Sequence, residues 1–295
     1  MKVAVVAHSG KKLGGGLPEL RRVLADEGVT EPLWYEVPKS RKAPRQVRRA
    51  LENGAELVFV WGGDGMVQRC ADVLAGSGAT LAIIPAGTAN LLASSLEIPK
   101  QIGDAVAIGL HGDRRPLDVG RFKGERFAVM AGVGFDAEML HDASGLKGGL
   151  GRAGYVWGGL RNLRTKAFHA EVKIDGVSWY EGPASCILIG NIGELFGGLT
   201  AFEDARPDDG ILDIGVVTAE GPAQMARTVT KAAVGNPLES RFVRATTARA
   251  IKVKLDRKVR YELDGGDRSK VTSFKVKVEP GALAVRVPRH QTAKS

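Results

Sequence analysis

Long apolar runs are missing from this 295-residue sequence, and no stretch approaches the roughly 20 apolar residues of a membrane-spanning helix. Cysteine is scarce. The two present, Cys70 and Cys186, sit far apart in apolar surroundings. They read as reduced core thiols rather than a disulfide, which predicts a cytoplasmic protein. Aromatic residues make up only 6% and do not interleave with basic ones. Base stacking on single strands is therefore unsupported, and nucleic acid is not an expected partner. The chain opens on an apolar, β-rich run from Val3 to Ala7, with no signal-peptide layout. No internal repeat is evident.

Apolar residues make up 44%, enough for a packed core, and the length suits two domains or one large one. The formal net charge of +9 favours acidic partners. The basic residues are scattered: Lys39 to Lys42, then Arg45, Arg48 and Arg49, then Arg241 to Lys258, then the end of the chain. Each cluster alone reads as a solvated face. Together they suit weak attraction to an anionic membrane surface.

Strand and helix patterns alternate in the first third. Strands are predicted at Val3 to Ala7, Leu33 to Val37, Leu57 to Trp61 and Thr80 to Ile84. Helices are predicted at Leu17 to Glu27, Pro44 to Asn53, Met66 to Leu74 and Gln101 to Leu110. This alternation implies a parallel sheet, whose ligands bind beyond the C-terminal strand ends. From Gly112 to Pro116 onward, strand-like runs follow one another, with Asp175-Gly176 as a hairpin signal. Helices interrupt them at about 152–164 and 223–234. The expected division is an α/β domain over 1–115, a mostly antiparallel β domain over 116–288 and a mobile basic tail over 289–295.

Five segments carry chemistry. Gly62-Gly63-Asp64-Gly65-Met66 lies between a strand and a helix, where bare glycines let N–H groups approach a phosphate. A tight turn with a capping Asp is the alternative. Pro85 to Ala93 repeats the arrangement, with Gly87, Thr88 as a candidate helix cap and Asn90. Gly132 to Glu138 places Asp136 and Glu138 in a first helical turn. Arg206 to Asp213 is an acidic turn whose oxygens suit a cation, or an ordinary Asp-Gly turn. Asp264 ends a strand at a turn, poised to accept a proton from a hydroxyl.

In this order the five segments resemble the diacylglycerol kinase catalytic family, which includes bacterial soluble lipid kinases and sphingosine kinases. NAD kinases and phosphofructokinases share the Gly-Gly-Asp-Gly turn more distantly. The resemblance covers nearly the whole chain. It implies a Rossmann-like N-terminal domain, a C-terminal antiparallel β-sandwich and ATP in the cleft between them. It assigns nucleotide contacts to Ser9, Gly10, Gly62, Gly63, Asp64, Gly65, Met66, Gly87, Thr88 and Asn90. It assigns Mg²⁺ to Asp209 with the carbonyls of Arg206 and Ile211, and the base role to Asp264, or to Asp64 as in sphingosine kinases. The implied reaction is phosphorylation of a lipid hydroxyl, with a homodimer as a possible assembly. Phe135, Met139, Leu195 and Phe196 are candidates for the acceptor cleft.

Some positions depart from the family pattern. Met66 stands where Thr is usual, Arg69 where an acid is usual, Ala7-His8 where Asn-Pro is usual, and Gly266 where Glu is usual, with Asp267 one step later. They motivate one alternative, a non-catalytic nucleotide- or lipid-binding regulator. The other alternative is a kinase of a soluble substrate such as NAD.

Overall fold

The structure is a computed structural model that describes residues 1–134, 167–193, 201–219 and 240–289, with Gln224 and Thr228. The predicted helix at 152–164, most of that at 223–234 and the tail from 290 lie outside the described residues. So do Phe135, Asp136, Glu138, Met139, Leu195 and Phe196. The chain forms two compact units: Met1–Leu117 with Gly281–Ser295, and Asp118–Pro280.

In the first unit, β1 (Val3–His8), β2 (Leu33–Val37), β3 (Leu57–Gly62) and β4 (Thr80–Pro85) form a parallel sheet in the order β4-β3-β1-β2. All six residues of both β3 and β4 are buried, which explains their unbroken apolar runs. Each fully buried Val, Leu, Ile or Phe contributes roughly 1.5–3 kcal/mol. Parallel neighbours need crossover connections. Here they include α1 (Gly16–Asp26), α2 (Ala43–Glu52) and α3 (Asp64–Leu74). Two further helices are α4 (Leu91–Ser95) and α5 (Ile102–His111), of which α5 lies against β4. The chain turns from β2 on one side of β1 to β3 on the other, so the sheet has its switch point at the C-terminal ends of β1 and β3.

The second unit is antiparallel. Strand β5 (Asp113–Phe122) leads into β6 (Glu125–Phe127) and β7 (Met130–Val133). Then come β8 (Phe168–Ile174), β9 (Val177–Ala184), β10 (Cys186–Gly190), β11 (Leu212–Val217), β12 (Val243–Ala248), β13 (Ala250–Leu263) and β14 (Gly266–Val287). Strand β13 has register shifts after Lys254 and after Arg260. Residues Ile251 to Leu255 pair with β8, and Tyr261 to Leu263 pair with β7. One bulged strand thus serves two stretches of sheet that close on a common core. Phe122 stacks there on Tyr261 and Phe274, with ring centroids 4.5 and 4.6 Å apart.

Two expectations change. The end of the long strand β14 falls in the first unit, whereas the expected β domain runs to 288. Ala284 and Val285 pair in parallel with Thr80 and Leu81, and the Ala282 carbonyl accepts from Gly76 N–H at 2.7 Å. The chain therefore passes between units twice, near Leu117 and at Pro280-Gly281. Strand β12 was not anticipated: its sequence, VRATTA, is polar, and five of its six residues are not buried.

Candidate functional site: glycine turns and a buried aspartate network

The two glycine turns of the first unit are built against each other. A Cβ on Gly87 would lie 2.5 Å from the Gly63 Cα, and one on Gly63 would lie 3.0 Å from the Gly87 Cα. Only glycine at both places allows that approach. Asp64 joins the turns: its Oδ2 accepts from Asn90 N–H at 2.9 Å and its Oδ1 from Leu91 N–H at 2.5 Å. It thereby caps α4 from 26 residues away. Asn90 adopts φ 54°, and its side chain closes the second turn by accepting from Gly87 N–H and donating to Gly87 O. Burial raises the Asp64 pKa, while the N–H groups of Leu91, Asn90 and Asp64 itself, and then Lys11, act against that rise. A Cβ on Gly65 would meet nothing within 4 Å. Among the described residues, nothing crowds this side of the α3 N-terminus.

Two predicted contacts differ in kind. Thr88 does not cap α4, because Asp64 does; Thr88 is exposed. Met66, expected at the nucleotide, points into the core. Its side chain is 1% exposed and lies over Gly62, where a Cβ would come within 2.8 Å of the Met66 sulfur. Its N–H is also used, donating to Gly63 O at 2.9 Å. The missing hydroxyl at this position is thus a packing matter.

The loop after β1 reaches the same edge. Trp61 Nε1 donates to Lys11 O at 3.4 Å, and the Lys11 charge acts on Asp64. Ser9 donates through both N–H and Oγ to Val37 O, and Gly10 N–H donates to His8 Nδ1. Lys11 was not singled out in the sequence. The signal was a lysine two residues past Ser9, in a loop leaving a parallel strand.

The second unit holds Asp264 and the 206–213 segment in one buried network. Asp264 and Gly265 have φ 46° and 75° and make the two-residue turn between β13 and β14. The Asp264 side chain is 4% exposed. Its carboxylate accepts from the N–H groups of Ala128, Val129 and Met130 at 2.8–2.9 Å. Asn191 donates from Nδ2 to the carbonyls of Ala128 and Asp118. Asp118 N–H donates to Pro207 O, and its Oδ2 accepts from Gly210 N–H at 2.6 Å. Asn191 and Asp118, absent from the sequence-based site, therefore tie the Asp264 turn to the acidic segment. Asn191 Oδ1 is buried and has no hydrogen-bond partner among the described residues.

Along that segment, Asp209 Oδ1 accepts from Ile211 N–H at 3.1 Å, and Arg206 and Asp209 are exposed. Burial, then the charges of Asp209 and Asp204, push the Asp213 carboxyl up to about 6. The segment therefore concentrates negative charge. Among the described residues no group of three or more His, Cys, Asp or Glu could hold a metal ion. One carboxylate with backbone carbonyls still fits Mg²⁺, which keeps several waters and needs no all-protein cage. Cys70 and Cys186 are free and buried, and burial raises both thiol pKa values.

This pair of units has known counterparts. The diacylglycerol kinase catalytic domain profile matches residues 2–122, and the YegS C-terminal NAD kinase beta sandwich-like domain profile matches residues 128–287. A protein of Pseudomonas aeruginosa PAO1 named "Probable lipid kinase YegS-like" is 36% identical over 294 residues, covering 97% of this chain and 94% of that protein. The diacylglycerol kinase of Bacillus subtilis is 30% identical over 232 residues, or 76% and 75% of the two chains. A diacylglycerol kinase crystal structure from Bacillus anthracis superposes with a TM-score of 0.76 at 23% identity, covering 97% of this chain and 96% of that one. The chain belongs to the diacylglycerol kinase catalytic family. It is a diacylglycerol kinase-like phosphotransferase of the lipid kinase type, and the family implies use of ATP.

Proposed function

We propose that the protein transfers the γ-phosphoryl group of ATP to a hydroxyl of diacylglycerol or a closely related lipid. The observation that carries this reading is the Asp64 clamp, which fixes two glycine turns beside the N-terminus of α3. Phosphoryl transfer depends chiefly on positioning and charge neutralisation. The Gly65 N–H and the helix dipole at that N-terminus suit a phosphate oxygen, and Lys11 adds a positive charge beside them. Asp64 acts here as a positioning residue. Mg²⁺ held by Asp209 and the Arg206 and Ile211 carbonyls would supply charge neutralisation when bound. Asp264 is the first candidate to accept the hydroxyl proton, and Asp64 the second.

A non-catalytic regulator is the second reading. One observation favours it: three backbone N–H groups converge on Asp264, leaving at most one of a carboxylate's roughly four acceptor sites for a substrate. Labelled ATP offered with a panel of lipid acceptors, and with NAD, separates the readings. A phosphorylated lipid of defined mass is the expected product. Nucleotide binding without transfer to any acceptor would establish the regulator instead.

A further inference from the structure

The outer sheet face of the second unit carries a charge pattern that phosphoryl transfer does not use. Exposed and buried residues alternate along β13 and β14. The register sets Lys173 of β8 opposite Lys252 of β13, and Lys252 opposite Lys275 of β14. Three exposed lysines thus stand in one rank across three adjacent strands. Like charges directly opposite are unfavourable in a sheet, so this rank works against the fold unless an anion faces it. Farther across, Lys275 and Lys277 join Arg121 and Lys123 around an open depression of about 410 Å³.

The nearby acids do not neutralise this face. Glu171 pairs with Lys254 at 3.4 Å, and Glu279 pairs with Arg121 at 3.1 Å and with Arg126. Glu181, opposite Glu171, is the remaining acid of the rank beside the lysines. Among the described residues, Lys123, Lys173, Lys252, Lys275 and Lys277 have no ion-pair partner.

We propose that this face docks the protein on an anionic bilayer, with the lysine rank against phospholipid headgroups. The choice of occupant rests on the lipid kinase reading, since the acceptor of such an enzyme resides in a bilayer. The geometry agrees. Lysines on three strands spaced about 4.8 Å apart present a flat array, which matches a plane of phosphates better than one small anion. Each basic residue near such a surface contributes about fivefold to binding.

Flotation with vesicles of phosphatidylcholine alone, or mixed with phosphatidylglycerol, tests this without ATP. The full chain should bind the mixed vesicles, and salt should weaken that binding. The triple variant K173Q/K252Q/K275Q should bind on the order of 100-fold more weakly. A control, K39Q/R41Q/R45Q, removes the same charge from the first unit and should stay within threefold of the parent. Should the first triple unfold, K123Q/K277Q tests the same face, with an expected loss of roughly 25-fold. Equal loss in face and control variants would overturn the proposal, as would equal binding to neutral vesicles. Displacement by millimolar inorganic phosphate at constant ionic strength, or tighter binding to duplex DNA, would also overturn it. Failure of the kinase reading would appear separately, as vesicle binding without phosphoryl transfer.

Discussion

At the scale of single residues, Asp64 and Asp264 are both held by backbone N–H groups, yet they do different work. Asp64 ties two turns together; Asp264 orders the segment 128–130. D264N places an NH₂ where a carboxylate oxygen accepted an N–H, so it should destabilise the protein by about 1–3 kcal/mol. Loss of a general base should also lower the transfer rate by roughly 10² to 10⁴. Denaturant unfolding and single-turnover transfer read the two effects separately, and a lowered stability with an unchanged rate removes Asp264 from the chemistry. The glycines give a cleaner contrast. G87A drives a methyl group into Gly63 and should cost about 1–3 kcal/mol as well as nucleotide affinity. G65A meets nothing in the fold and sits in the first turn of α3. It should leave stability within about 0.5 kcal/mol of the parent, so any loss of ATP affinity by calorimetry would reveal close approach of the ligand.

At the scale of elements, most of the parallel sheet was legible because its strands are buried on both faces and read as unbroken apolar runs. Strand β12 was not, because it pairs through its backbone while only one of its six residues is buried. The pairing of Asn191 and Asp118 with distant carbonyls was equally hidden, since neither residue sits in a recognisable spacing. N191A removes two donors from buried carbonyls and should cost about 2–3 kcal/mol by denaturant unfolding. Glu279 on β14 supplies the pH-dependent case. Burial alone would raise its pKa, but the Arg126 bond and charge, followed by those of Arg121, outweigh burial and lower it. A carboxyl whose folded pKa is depressed stabilises the protein above its unfolded pKa, and that stability is lost as pH falls through the folded value. E279Q should therefore cost about 1 kcal/mol at pH 7, shrinking toward zero below about pH 4, in unfolding curves measured across pH.

At the scale of the whole molecule, ligand binding and stability are linked. ATP with Mg²⁺ at 100 times its dissociation constant should add about 2.7 kcal/mol of stability, read as a rise in Tm, and G87A should diminish that rise. Three lysines far apart in the sequence, Lys173, Lys252 and Lys275, form a rank once three strands align. The sequence by itself determined the two kinds of architecture, through hydrophobic period, and the places where the chain must turn, through Gly and Asp-Gly. It also carried the ordered motifs that mark the family. Only the tertiary structure decided what those residues touch. Asp64 caps a helix that begins 27 residues later, Met66 turns inward, and the end of β14 leaves the β domain to extend the parallel sheet. The reason is physical: period and turn chemistry are local properties of the chain, whereas caps, close glycine contacts and charge ranks arise only when distant segments are brought together.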